Sequence, residues 1–100
     1  MLNLIRSWVA PKAAVRLILR GNFSQESGLK VQTLVQRTGV MGWLRIVRGS
    51  HVQMELEGSK PKLEALLVRL QQTSFTSTPT VLEVTWTPYK KQFASFRVSV

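Results

Sequence analysis

The sequence predicts a two-layer α+β sandwich, in which two helices cover one face of a mainly antiparallel five-stranded sheet. Two observations predict it. Five segments alternate apolar and polar residues, as half-buried strands do, and two segments repeat apolar residues at helical spacing. In chain order they are strand, helix, strand, strand, helix, strand and strand. The chain therefore has a βαββαβ pattern with one further strand at its C-terminus.

The N-terminal half is predicted to contain a strand, a helix and a hairpin. Residues 13–21 alternate and form the first strand. Apolar residues share one face of a helix over residues 28–38, and Gly39 is a good helix stop. Residues 42–47 and 51–57 alternate again, and the Arg-Gly-Ser turn between them predicts a hairpin.

The C-terminal half is predicted to contain the second helix and two strands. Ser59 can cap this helix, and Pro61 can lie in its first turn. Its apolar stripe consists of four leucines, Leu63, Leu66, Leu67 and Leu70. A polar connection over residues 73–80 then leads to a strand over 81–87, and a last strand runs over 96–100.

Composition predicts one domain. The chain has 100 residues, of which 44% are hydrophobic, and we place the domain at residues 13–100 after an N-terminal appendage, residues 1–12. No apolar run has the length of a membrane span, and Leu2, Ile5 and Trp8 have the spacing of a short amphipathic helix. The chain has no Cys and only one His, so we expect no disulfide, metal site or cofactor, and a cytoplasmic location.

The charge of the chain is strongly positive. Fourteen Lys and Arg residues against five acidic residues give a formal net charge of +9. Such a surface attracts phosphorylated ligands, nucleic acid or anionic membranes. The basic residues are scattered, and Lys90 and Lys91 form the longest cluster. Charge alone therefore predicts a general attraction for anions and no particular partner.

Two segments of the chain carry distinctive motifs. Arg20 and Gly21 open a loop that leads into the first helix, where free backbone amides suit an anion. Residues 39–45 read GVMGWLR and lead into the second strand. Both segments resemble those of the acylphosphatase family, and the resemblance covers roughly residues 14–100. It implies the ferredoxin-like form of the two-layer sandwich, and hydrolysis of the carboxyl–phosphate bond of acyl phosphates without a cofactor.

The resemblance also implies the residues of the site. In the acylphosphatase family a loop arginine holds the phosphate, and a strand asparagine positions the attacking water. Lys30 is the best match to that arginine, and Ile46 stands at the position of the asparagine. Loop amides of six residues would bind the anion, Ser24, Gln25, Glu26, Ser27, Gly28 and Leu29.

These matches leave it open whether the chain is an enzyme. Lysine is a flexible point charge where arginine offers a planar fork of donors, and Ile46 cannot hydrogen-bond a water. Glu26 adds a negative charge close to any bound phosphate. We therefore expect acylphosphatase-type hydrolysis to be weak or lost, with binding of a small phosphorylated or other anionic ligand, or of a partner, retained.

The sequence also bears on two other functions. Ser24 or Ser27 could act as a nucleophile only beside a base, and His51 lies on a separate hairpin. The alternative function is a basic nucleic-acid-binding module, in which bases stack on the open sheet face. That face would carry one aromatic residue among basic and apolar ones, Trp43, Arg16, Ile18, Arg20 and Arg45.

Overall fold

Five strands and two helices follow one another in the predicted order. The strands are β1 (Lys12–Arg20), β2 (Met41–Val47), β3 (His51–Ser59), β4 (Val81–Thr87) and β5 (Phe96–Ser99), and the helices are α1 (Gln25–Gln36) and α2 (Lys60–Gln72). The computed structural model describes residues 10–99. The helix predicted in the appendage and the last residue of the final predicted strand lie outside the described residues.

The strands form one mixed sheet in the order β4-β1-β3-β2-β5. The central strand β3 is antiparallel to both β1 and β2, and β4 is antiparallel to β1. Only β5 runs parallel to its neighbour, β2. Among the strands, α1 contacts mainly β2, whereas α2 contacts β3, β1 and β4. The predicted ferredoxin-like sandwich, with a mainly antiparallel sheet and two helices on one face, is therefore confirmed.

The core lies between the sheet and the helices. Alternate residues of the three central strands are almost fully buried on this side, and the leucine stripe of α2 and the valines of α1 face them. One core residue comes from the polar connection, where Phe75 is 6% exposed. Burial weakens at the edge strand β4, where Val84 and Trp86 are 37% and 41% exposed. The core thus centres on β1, β3 and β2.

The start of α1 differs from the sequence prediction. The helix begins at Gln25 instead of residue 28, because Ser24 and Ser27 form a capping box. Five of the six residues predicted to lie in a phosphate-binding loop, 25–29, therefore belong to the first turn and a half of the helix, and only Ser24 precedes it as the N-cap. Gly28 lies inside the helix, where its missing side chain leaves room for a neighbouring strand.

The start of α2 also differs in detail. Pro61 lies in the first turn as predicted, but the side chain of Ser59 makes no capping hydrogen bond. Ser59 is still the last residue of β3, where it pairs with Lys12 of β1. The first helical amide, that of Lys60, instead donates to the backbone carbonyl of Pro11 at 2.8 Å.

A buried carboxylate fixes the connection between β4 and β5. Glu57 is 3% exposed and lies near the end of β3. Its Oε1 accepts hydrogen bonds from the amides of Gln92 (2.8 Å) and Phe93 (3.1 Å), and its Oε2 accepts one from the amide of Lys90 (3.3 Å). These bonds compensate the burial of its charge.

Candidate functional site

The segment between β1 and α1 is short and tied to the turn between β2 and β3. The amide of Gly21 donates to the carbonyl of Ser50 at 3.0 Å, and the amide of Gly49 donates to the carbonyl of Phe23 at 2.7 Å. The side chain of Phe23 is 1% exposed and belongs to the core. The loop is therefore held from both sides, by backbone bonds and by a buried aromatic ring.

The amides at the start of α1 are largely occupied by the chain itself. The amide of Ser24 donates to Oγ of Ser27 at 2.8 Å, and the amide of Ser27 donates to Oγ of Ser24 at 3.1 Å. The amide of Gly28 donates to the carbonyl of Ser24 at 3.0 Å. Gln25 and Glu26 occupy the first helical positions, whose amides have no acceptor within the helix. Only these two of the six predicted anion-binding residues thus keep an amide without an intrahelical or capping acceptor.

A carboxylate already lies at this helix end. Glu26 is the acidic residue in the first turn of α1. A negative side chain there interacts favourably with the partial positive charge of the helix N-terminus. The same position makes Glu26 repel a second anion. Anion binding by the loop backbone stays a prediction, and the local charge opposes it.

The position matched to the family asparagine lies in the core. Ile46 is 4% exposed, and its side chain fills the space beside Gly28 of α1. A Cβ atom placed on Gly28 would lie 2.8 Å from both Cγ2 and Cδ1 of Ile46. The helix and the strand therefore touch here through a glycine and an isoleucine, with no polar group between them.

Lys30 lies on a different side of α1. Two residues along an α-helix turn the side-chain direction by about 200°. Since Gly28 faces Ile46, Lys30 faces away from it, and Lys30 is exposed to solvent. It lines a groove between α1 and the end of α2, together with Leu29. The structure thus brings Gly28 and Ile46 together and places Lys30 elsewhere.

The serines and the histidine have separate partners. Oγ of Ser24 and Oγ of Ser27 lie 3.1 Å apart and bond to each other and to nearby backbone. Nδ1 of His51 lies 2.7 Å from Oγ of Ser50. Neither Ser24 nor Ser27 is therefore hydrogen-bonded to a histidine that could act as its base.

The sheet face opposite the helices carries the predicted mixture of residues. The strand register places Arg16 and Trp43 on this face, on either side of Glu55. Arg16 forms an ion pair with Glu55 at 3.7 Å, and Arg20 forms an ion pair with Glu83. Two of the arginines predicted to lie on the nucleic-acid-binding face are therefore already paired with carboxylates.

The part of the chain between residues 10 and 99 has neither a cluster of metal ligands nor a candidate membrane span. No three potential metal-ligating side chains lie together there. No helix of that part is both long and apolar enough to cross a bilayer.

Known structures resemble this fold. Neither a protein-family model nor a curated protein sequence matches the chain. The acylphosphatase from Bacillus subtilis is similar with a TM-score of 0.73 and 17% identity, over 88% of this chain and 99% of the other. An acylphosphatase from Coxiella burnetii is similar with a TM-score of 0.67 and 14% identity, over 88% and 93% of the two chains.

A larger protein contains the same fold. Full-length HypF, in its phosphate- and nucleotide-bound form, is similar with a TM-score of 0.71 and 17% identity. The match covers 95% of this chain but 13% of that protein, so it concerns one part of HypF. The chain therefore has an acylphosphatase-like fold, as the sequence predicts. At these identities the likeness shows the fold alone.

Proposed function

We propose that this chain is an acylphosphatase-fold protein that binds an anionic ligand and has little or no hydrolytic activity toward acyl phosphates. The observation that carries the proposal is the burial of Ile46 against Gly28. The isoleucine side chain can neither donate nor accept a hydrogen bond, so it cannot position an attacking water. The absence of cysteine fits a reducing compartment, so we place this role in the cytoplasm.

The chemistry of acyl phosphates explains why these changes matter. The substrate is already activated, so the protein contributes mainly positioning and stabilisation of charge. Removing one group that stabilises the transition state typically lowers the rate by about 100- to 1000-fold. Here the family asparagine is replaced by Ile46, and the nearest match to the arginine, Lys30, faces away from Ile46. The absence of both the asparagine and a suitably placed arginine supports a site that no longer hydrolyses acyl phosphates.

The retained property is attraction for anions. The formal net charge of +9 favours small phosphorylated or other anionic ligands. At the start of α1 only the amides of Gln25 and Glu26 remain for such a ligand, and the carboxylate of Glu26 opposes it. We therefore expect phosphate to bind there weakly, with loss of binding as salt is raised.

Hydrolysis of benzoyl phosphate, a synthetic acyl phosphate, tests the proposal. We expect the native chain and Lys30→Ala to hydrolyse it at the same rate, close to the uncatalysed one. Lys62→Ala is the matched control, since it removes an exposed lysine from the other helix. Native turnover that Lys30→Ala abolishes and Lys62→Ala leaves intact would contradict the proposal.

The double variant Lys30→Arg with Ile46→Asn gives a second test. It restores the two residue types of the family, but residue 30 still faces away from residue 46. We expect no gain in hydrolysis, with folding checked by circular dichroism. A gain of about 100-fold or more would mean that these two positions form the site after all.

A further inference from the structure

A groove runs between the two helices, from the first turns of α1 to the end of α2. Its first part has a volume of about 440 Å³, which lies in the range of small-molecule sites. One wall comes from six residues of α1 and its cap at successive helical spacings, Glu26, Leu29, Lys30, Thr33, Leu34 and Arg37. The other wall contains Arg69 of α2 and Phe75 of the following connection. The groove exists because α1 and α2 contact different strands.

A second cavity continues the groove along α2. It has a volume of about 390 Å³ and shares Leu34, Arg37 and Arg69 with the first. It adds Lys62 and Leu66 from α2. Arg37 and Arg69 therefore lie where the two parts of the groove meet.

The charges along the groove are unbalanced. Four cations line it, Lys30, Arg37, Lys62 and Arg69, against the single carboxylate of Glu26. Within residues 10–99 none of these four cations forms an ion pair, and both ion pairs of that part of the chain lie on the opposite face of the sheet. Guanidinium groups bind carboxylate, sulfonate and phosphate oxygens through a planar fork of donors. The junction thus complements an acidic group.

Apolar side chains lie beside this junction. Leu29 is 46% exposed in the wall of the first part of the groove, whereas the valines on another face of α1 are fully buried in the core. Leu34 is half-buried there, and Phe75 is buried beneath the opposite wall. A ligand seated on these three side chains would bury apolar surface on both itself and Leu29.

We propose that this groove binds a small amphipathic anion, with its acidic group between Arg37 and Arg69 and its apolar body on Leu29, Leu34 and Phe75. The ligand class is an aromatic or aliphatic carboxylate, sulfonate or phosphate. The groove shares Glu26, Leu29 and Lys30 with the predicted site, but its acidic-group position between Arg37 and Arg69 lies farther along the helices than the free amides of Gln25 and Glu26. The proposal therefore goes beyond the proposed function and does not depend on the outcome of the hydrolysis assay.

The fluorescent dye anilinonaphthalene sulfonate has this chemistry and serves as the probe. We expect saturable binding to the native chain, and a dissociation constant at least about tenfold higher for Arg37→Gln with Arg69→Gln. Arg45→Gln with Arg97→Gln is the matched control, because it removes the same charge from strands β2 and β5. Near-UV circular dichroism confirms that each variant keeps its packing.

Two further comparisons separate the contributions of charge and apolar surface. Phenylnaphthylamine has the same rings without the sulfonate, and we expect it to bind at least about tenfold more weakly than the sulfonate. Leu29→Gln should raise the dissociation constant of the sulfonate about three- to tenfold. Val81→Gln should leave it unchanged, since Val81 is 60% exposed but lies on β4.

Three results would overturn the proposal. The first is no saturable binding of the sulfonate to the native chain. The second is an equal loss of binding in the groove pair and the sheet pair of arginine variants, which would indicate general charge attraction. The third is equal binding of the neutral dye, which would remove recognition of the acidic group.

Discussion

The contact between Gly28 and Ile46 predicts that one added methyl group will have opposite effects in two backgrounds. In the native chain, the Cβ of Gly28→Ala would lie 2.8 Å from Cγ2 and Cδ1 of Ile46 and 3.0 Å from its Cγ1. Two of these atoms sit on the stiff, branched Cβ of isoleucine, so they cannot move away freely. Overpacking of this kind costs about 1–3 kcal/mol.

The helix propensity of alanine works in the other direction. Replacing glycine by alanine inside a helix stabilises it by about 0.8–1.0 kcal/mol. Because three close contacts place the overpacking cost in the upper part of its range, we expect Gly28→Ala to lower the free energy of unfolding by about 1–2 kcal/mol. In Ile46→Ala all three contacting atoms are absent. There, Gly28→Ala should raise the free energy of unfolding by about 1 kcal/mol.

Urea denaturation followed by circular dichroism measures both effects. Ile46→Ala alone should lower the free energy of unfolding by about 2–5 kcal/mol. The free energy of each variant in this double-mutant cycle is therefore obtained from both the midpoint and the slope of its denaturation curve. Leu63→Ala is the control background, since Leu63 is equally buried but lies in α2. Gly28→Ala should remain destabilising in that background. If it destabilises the Ile46→Ala chain as much as the native one, the proposed contact is wrong.

Three further variants test other parts of the account. Gly42 has φ 137°, and a Cβ there would lie 1.9 Å from the carbonyl oxygen of Glu55, so Gly42→Ala should cost about 3–5 kcal/mol in urea denaturation. Glu57→Gln replaces one acceptor of the β4–β5 connection by a donor, so it should cost about 1–3 kcal/mol and speed hydrogen exchange at residues 90–93. Ile46→Asn should lower the free energy of unfolding by about 3–5 kcal/mol, because it buries an amide in place of hydrocarbon, and unchanged stability would argue against a closed site.

The elements of this fold were predictable because most of them follow a clear period. The buried positions of β1, β2 and β3 alternate over most of each strand, and the leucines of α2 repeat at helical spacing. The order of the strands in the sheet carries no comparable local pattern. The parallel pairing of β5 with β2 depends on the distant contact between Gly42 and Phe96.

The start of α1 was harder to predict, and the error affected the site. A capping box is usually recognised by Glu or Gln at its third helical position, whereas Ser27 fills that position here. Gly28 then favoured a loop in the prediction. A glycine fits this helical position because the side chain of Ile46, which is distant in the sequence, packs against it. With the correct start, helix geometry alone would have placed Lys30 away from Ile46.

Two other features had weaker sequence patterns. Phe75 is a single large apolar residue in a segment rich in serine and threonine, and this contrast could have indicated its burial. The groove between the helices could not be predicted, because its width depends on how far apart α1 and α2 lie on the sheet.

The central claim is that this chain keeps the acylphosphatase-like fold without the activity. The most direct measurement is the rate of benzoyl phosphate hydrolysis by the native chain, beside the Bacillus subtilis acylphosphatase under the same conditions. We predict a value of kcat/KM at least about 100-fold below that of the bacterial enzyme, as expected when a transition-state contact is lost. A value within about tenfold of the bacterial enzyme would contradict the account.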